Sequence, residues 1–312
     1  MNRLFFTFLC LIALFADMQS QTKLFQGNGF DYSDSSVPPE EIKAGGPGRD
    51  GIPSIDYPLF VPANKARYMM TADRVLAIEI NGVAKAYPVK ILNYHEVVND
   101  TVGGQAVVIT YCPLCGSGMA FNAHIKGERF WFGVSGLLYN SDVLLYDRRS
   151  QSLWSQIESE AVSGPLKGTK LEYIPTHNTS WQDWRAQHPE GQVLSTETGY
   201  QRDYRSTPYE GYEFSKELIF GVDQEDDRFA RKEKIIGINI NGQAKAYSLR
   251  SLKKQKQAII EDEFQGQALQ IHYDAKAKSA RITDAAGNLV PSVQMYWFAW
   301  YAFHPQTEVF GM

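Results

Sequence analysis

Cysteine is scarce in this sequence: three in 312 residues, and one of those, Cys10, stands in an apolar stretch at the very start. A scaffold stapled by several disulfides is therefore excluded. It is also unnecessary, because a chain this long with 44% hydrophobic and 13% aromatic residues can bury a large core without staples. Basic charge is not in excess either. Lysine and arginine number 31 against 35 acidic residues, with no basic stripe, so nucleic acid is not an expected partner. After the first twenty residues no apolar run is long enough to span a membrane. A glycine-rich phosphate loop and a serine nucleophile elbow are both missing. There is no second cysteine pair, and Gly116 rather than histidine follows Cys115. The first absence removes a four-cysteine zinc site and the second argues against covalent haem attachment.

The opening residues read as an export signal. Arg3 supplies a positive charge and Leu4 to Phe15 form a short apolar core. Residues 1–20 are expected to be removed, leaving a periplasmic or extracellular protein with no transmembrane segment, in a compartment where disulfides form. Cys10 leaves with the signal.

What remains is organised around Tyr111-Cys112-Pro113-Leu114-Cys115-Gly116-Ser117-Gly118. An apolar run, Ala106 to Thr110, precedes it and glycines close it, so a buried strand is expected to deliver two thiols into a tight turn. Three roles are open for the pair. As a redox centre, Cys112 attacks as thiolate and Cys115 resolves the mixed disulfide. As a metal site, copper or zinc binds both sulfurs together with histidine, His95 being the best local candidate and His124 and His304 the further ones. As a structural disulfide, so short a loop yields only about 2 kcal/mol. Redox exchange accounts best for the spacing. His95 and its acidic neighbour Glu96 can serve as base or ligand. Asn140, Asp142, Asp147 and Arg148 flank a strand and are candidates for ordering the pocket.

An internal repeat sets the organisation. Ile80-Asn81-Gly82-Val83-Ala84-Lys85-Ala86-Tyr87 returns as Ile240-Asn241-Gly242-Gln243-Ala244-Lys245-Ala246-Tyr247, in each case a hairpin signal. Gly104-Gln105-Ala106-Val107 matches Gly266-Gln267-Ala268-Leu269, and Tyr111 matches Tyr273 once two extra residues are allowed. Asp274 then stands where the first copy has Cys112. The reading is a mainly β protein with a few short helices (α+β), built as two related β-units. Residues 21–65 form an extended arm, 66–195 the first unit with the cysteine pair, and 196–312 the second unit without it. Ser180 or Thr179 caps a helix through Trp181 and Trp184. Residues 196–213 form a surface loop, and the run from Gln294 to His304 is expected as a buried strand.

The strings HEVVND, TYCPLCGSGMAF, FGVSGLLYNSDVLLYD, LWSQ, GPLKGT and WFAWYAFHP resemble the bacterial exported proteins of domain-of-unknown-function family 3179, over a stretch from about Gly45 to the C-terminus. The family has no settled activity. Some of its members are described as selenoproteins with selenocysteine in the cysteine motif. If that carries over to Cys112 or Cys115, the resemblance implies redox chemistry.

The expected function is thus an exported thiol-redox protein using Cys112 and Cys115 with His95 nearby, its partner an envelope thiol protein or a small-molecule substrate. The alternatives are a copper or zinc protein using the same residues, and a non-catalytic interaction module.

Overall fold

A computed structural model describes residues 24–312; the expected export signal and Cys10 lie outside the described residues. Residues 24–65 run as an arm of two- and three-residue strands and 3-10 turns. In chain order the longer elements are β1 (Arg74–Ile80), β2 (Val83–Pro88), α1 (Val89–His95), β3 (Val97–Val102), β4 (Gln105–Cys112) and β5 (Ser117–Asn122). Then come β6 (Phe132–Tyr139), β7 (Asp142–Asp147), β8 (Leu153–Ser155), β9 (Glu160–Ser163), β10 (Tyr173–Ile174), β11 (His177–Ser180), α2 (Trp181–Gln187) and β12 (Gln192–Leu194). The remainder comprises β13 (Lys234–Ile240), β14 (Gln243–Ser248), α3 (Leu249–Gln255), β15 (Ile259–Phe264), β16 (Gln267–Asp274), β17 (Ser279–Asp284), β18 (Ser292–Tyr296), α4 (Trp297–Phe303) and β19 (Glu308–Val309). The protein is mainly β. Among the described residues its α-helices are four, each of seven residues, and none is long and apolar enough to cross a membrane.

Both predicted hairpins form. Asn81, Gly82, Asn241 and Gly242 all take positive φ, between 51° and 79°. That is the type I′ geometry for which Asn-Gly is suited, because its twist matches that of the flanking strands. From each hairpin the chain continues identically. The series β1, β2, α1, β3, β4, β5 and the series β13, β14, α3, β15, β16, β17 have the same lengths: seven, six, seven, six, eight and six residues. The two extra residues of the second series fall between α3 and β15. Each copy buries the same polar triad. Lys85 pairs with Asp100 at 2.9 Å, with the Tyr87 hydroxyl donating to the same carboxylate at 2.7 Å. Lys245, Asp262 and Tyr247 repeat the arrangement at 2.6 and 2.8 Å.

Among the described residues, beside two small two-stranded sheets, five sheets of three or more strands result, resembling the blades of a five-bladed β-propeller. Their orders are β11-β1-β2-β12 with Phe60–Pro62 at the edge, β10-β5-β4-β3, β9-β8-β7-β6 with Lys43–Ala44 at the edge, β18-β13-β14-β19, and β15-β16-β17. Hairpin and meander of each copy thus lie in separate sheets, and β6 to β9 supply the fifth. The largest buried cluster draws on both copies: Val97, Val108, Cys112 and Cys115 join Ile235, Ala246, Met295 and Trp300. Burying that shared surface is what holds the copies together.

Two expectations are corrected. The run from Gln294 to His304 is not one strand. Its ladder with β13 ends at Tyr296, opposite Lys234, and the chain turns into α4. Trp297, Phe298, Ala299 and Trp300 are all buried, and an apolar run of this kind satisfies helix and strand periodicities equally. The loop over 196–213 is not merely a surface connection either, because Tyr204 and Tyr212 are buried in it. The predicted cap is in place: the Ser180 side chain accepts from the Asp183 amide at the start of α2.

Candidate thiol–carboxylate site

The β4–β5 hairpin carries the cysteine pair. Cys112 ends β4 opposite Ser117, and Pro113 to Gly116 make the turn. Gly116 has φ +63°, and a Cβ there would come within 3.0 Å of the Tyr296 ring, so glycine lets that ring lie against the turn. The turn is pinned by the Tyr296 amide, which donates to the Cys115 carbonyl at 2.8 Å. Beneath it the Ser117 hydroxyl donates to Gln156 Oε1 at 2.7 Å, and Gln156 Nε2 donates to the Thr110 hydroxyl at 2.8 Å. Such a satisfied buried network fixes the hairpin's position.

A second hairpin approaches the thiols. Tyr139 and Asp142 pair at the end of the β6–β7 ladder, and Asn140 and Ser141 between them both take positive φ (48° and 63°). This is again a two-residue turn of the primed kind, here without glycine. It aims the Ser141 carbonyl at the cysteines: Cys112 donates to it at 3.5 Å and Cys115 at 3.3 Å. The Ser141 hydroxyl donates to the Phe220 carbonyl at 2.7 Å, and Asn140 Oδ1 accepts from the Asp223 amide at 2.9 Å. Segment 220–223 therefore clamps the turn. The next residue, Asp142, brings its carboxyl to the same point. One oxygen accepts from the Ile157 amide at 3.1 Å, while Oδ1 is buried with no hydrogen-bond partner among the described residues.

The ligand atoms of Cys112, Cys115 and Asp142 all lie within 4.8 Å of one another. All three residues are no more than 1% exposed, and both cysteines are free thiols. Burial pushes the Asp142 carboxyl up to about 8. It also raises both thiols, with Asp142 adding to the effect on each. Glu96 stands close by and is likewise pushed up to about 8 by burial, with Asp142 contributing. The Tyr209 hydroxyl donates to Glu96 at 3.4 Å. Four acidic groups thus share one buried region, and neither carboxylate has a basic partner at ion-pair distance among the described residues. Burial favours their neutral forms in the absence of a cation.

His95 is not brought into this group. Its Nδ1 faces the Pro53 carbonyl at 2.8 Å, an acceptor only, so Nδ1 carries the proton. Nε2 then accepts from the Tyr204 hydroxyl at 2.6 Å. Both ring nitrogens are engaged, and burial lowers the ring's basicity. The reason is local. His95 is the last residue of α1, and Glu96 leaves it with φ +57°, which turns the next side chain another way. Residue reasoning took Glu96 only as an accessory to His95, whereas Glu96 is the one whose charge the Cys112 thiol feels. Asp142 was legible as a strand-flanking acid but not as the third member of the group. His124 and His304 are also outside it. Asp147 instead accepts from the indole of Trp154 at 3.0 Å, and Arg148 pairs with Asp56 at 2.9 Å.

The cysteine turn separates two cavities. One, of about 250 Å³, is bordered by Glu96, Leu114 and Tyr209. The other, of about 170 Å³, is bordered by Tyr111, Pro113, Gly116 and Tyr296. A family model described as "Protein of unknown function (DUF3179)" matches residues 49–307. No curated protein and no solved structure matches the chain.

Proposed function

This chain belongs to the DUF3179 family, whose description assigns no activity, and we propose from the site itself that the protein binds a divalent metal ion through Cys112, Cys115 and Asp142. The observation that carries the reading is the buried trio within 4.8 Å, in which Asp142 Oδ1 is buried and has no nitrogen or hydroxyl donor among the described residues. An orphaned buried carboxyl oxygen beside two thiols is costly unless a cation or a proton offsets it. Two thiolates and a carboxylate suit zinc, and three protein ligands leave the open position found in catalytic rather than structural zinc sites. The carboxylate oxygen favours zinc over copper(I), for which softer ligands serve better.

Dithiol–disulfide exchange by the same pair is the second reading, favoured by the Cys-x-x-Cys spacing. The surroundings support it less well. A nucleophilic thiolate wants positive or hydrogen-bond-donating neighbours, and here the neighbours are acids and a carbonyl. We further read the two matching series of elements as related units, of which the first keeps the thiols. Asp274 ends β16 where Cys112 ends β4. We place the protein outside the cytoplasm on the strength of its signal-like first residues.

Metal content and free thiols, measured on protein purified without chelator, test this. About one zinc per chain, with both thiols shielded until the metal is removed, is the expected result. Asp142→Asn should weaken the site and Cys115→Ser should empty it. A zinc-free protein that also fails to take up added zinc, while its thiols cycle reversibly in glutathione buffers, overturns the metal reading and leaves the redox one.

A further inference from the structure

The cavity of about 170 Å³ behind the cysteine turn is lined by groups that the thiol–carboxylate site does not use. Arg74 is the first. Its guanidinium donates to Asn178 Oδ1 through Nε at 3.1 Å and through Nη2 at 2.6 Å, from Nη2 also to the Asn178 carbonyl at 2.6 Å, and from Nη1 to the Ala277 carbonyl. All of these acceptors are neutral, and no carboxylate lies at ion-pair distance from Arg74 among the described residues. Burial lowers Arg74 only to about 10, so it stays charged at neutral pH. Lys234 also lines the cavity and is paired with Glu213 at 2.6 Å. Two cations and one carboxylate leave the cavity one positive charge in excess. The hydroxyls of Tyr111 and Tyr296, which border the same space, have no hydrogen-bond partner among the described residues. A phenolic hydroxyl of this kind can donate to a ligand.

We infer that this cavity binds one small organic monoanion, a carboxylate whose charge faces Arg74 and whose body packs against the rings of Tyr111 and Tyr296. Size limits the body. A cavity of about 150 Å³ accommodates a benzene ring, so a ligand of roughly benzoate size fills this one. Charge sets the preference, because a guanidinium without a carboxylate partner, through its remaining N–H and the hydroxyl donors beside it, recognises a carboxylate better than a neutral amide of the same shape. The site is independent of the metal reading, although it shares the wall formed by Pro113 and Gly116.

Titration calorimetry of the full chain with benzoate and with benzamide tests the inference. Benzoate is expected to bind once per chain and at least about tenfold more tightly than benzamide. Arg74→Gln should weaken benzoate by about tenfold or more, and Tyr296→Phe by a few-fold. Since Arg74 also ties Asn178 to Ala277, its variant alone could lose binding through misfolding. Glu213→Gln guards against that, because removing the one opposing charge should tighten benzoate several-fold, a gain that unfolding cannot produce. Equal affinity for benzoate and benzamide, no saturable benzoate binding up to about 10 mM, or a Glu213→Gln variant that binds no better would overturn the site. Zinc is measured in the same samples. Benzoate binding by protein that neither holds zinc nor takes up added zinc refutes the metal reading alone, and zinc without benzoate binding refutes this one alone.

Discussion

The thiol of Cys115 donates to the main-chain carbonyl of Ser141 at 3.3 Å, and Ser141 presents that carbonyl from a left-handed backbone with φ +63°. A non-glycine residue held in this conformation stores strain that its surroundings must offset. Here the offset is visible in the Ser141 hydroxyl, which holds the Phe220 carbonyl at 2.7 Å.

The turn therefore distinguishes two small replacements. Ser141→Gly loses the hydroxyl contact but relieves the backbone, whereas Ser141→Ala loses the contact and keeps the strain. Denaturant unfolding should find the alanine variant less stable than the glycine variant by about 1 kcal/mol. Equal stabilities would mean that the turn is not strained.

The acidic group predicts a pH dependence. Asp142 has a folded pKa of about 8 against an ordinary value of 3.8. Between those values the unfolded chain has lost the proton and the folded one keeps it. The carboxyl's contribution is thus fully present below about 4 and is lost as pH rises toward 8. Metal-free wild type should lose stability across this window more steeply than metal-free Asp142→Asn. Zinc binding must displace the retained protons, so zinc affinity should rise with pH and proton release should be measurable by calorimetry in buffers of different ionisation enthalpy. An affinity that does not change with pH would count against thiolate and carboxylate ligands.

Gly116 and Gly127 separate steric from conformational cost. Both have positive φ, but a Cβ at Gly116 meets the Tyr296 ring at 3.0 Å while one at Gly127 meets nothing within 4 Å. Gly127→Ala should cost about 1 kcal/mol and Gly116→Ala up to about 3 kcal/mol. Thermal unfolding of the pair checks this, and equal losses would remove the Tyr296 contact from the account.

The twin polar triads are not equally buried. The side chains of Lys85 and Asp100 are 10% and 7% exposed, whereas the Asp262 side chain of the second copy is 16% exposed. Lys85→Met leaves a buried carboxylate unpaired and should cost about 3–5 kcal/mol. Lys245→Met should cost less, because water can reach Asp262. The reverse order would mean that Asp100 takes a proton when its lysine is removed.

Much of the fold was readable because it is encoded over a few neighbouring residues. Asn-Gly at 81–82 and at 241–242 demands a type I′ turn wherever strands flank it. The run into Cys112 followed by Pro113 and Gly116 makes a strand and then a turn. Ser180 caps α2 through its own side chain. The likeness of the two hairpins also followed from residue identity alone. By contrast, the stretch from Trp297 onward is apolar on every side, and only the end of the β13–β18 ladder at Tyr296 makes it a helix. The tyrosines of 196–213 look solvent-facing as a string. Tyr204 and Tyr212 are nonetheless buried, Tyr204 because it lies over His95 and Tyr212 because it packs in the cluster of the cysteine turn.

The chain by itself determined where the thiols sit and what local shape delivers them, since a turn is fixed by the φ preferences of four or five residues. Only the tertiary structure decided the company they keep. Asp142 reaches Cys112 from another hairpin thirty residues on, and the backbone at Glu96 decides which of two adjacent side chains faces the thiols. Such distances and directions depend on how sheets pack against one another, and packing is a sum over the whole core that no local pattern carries.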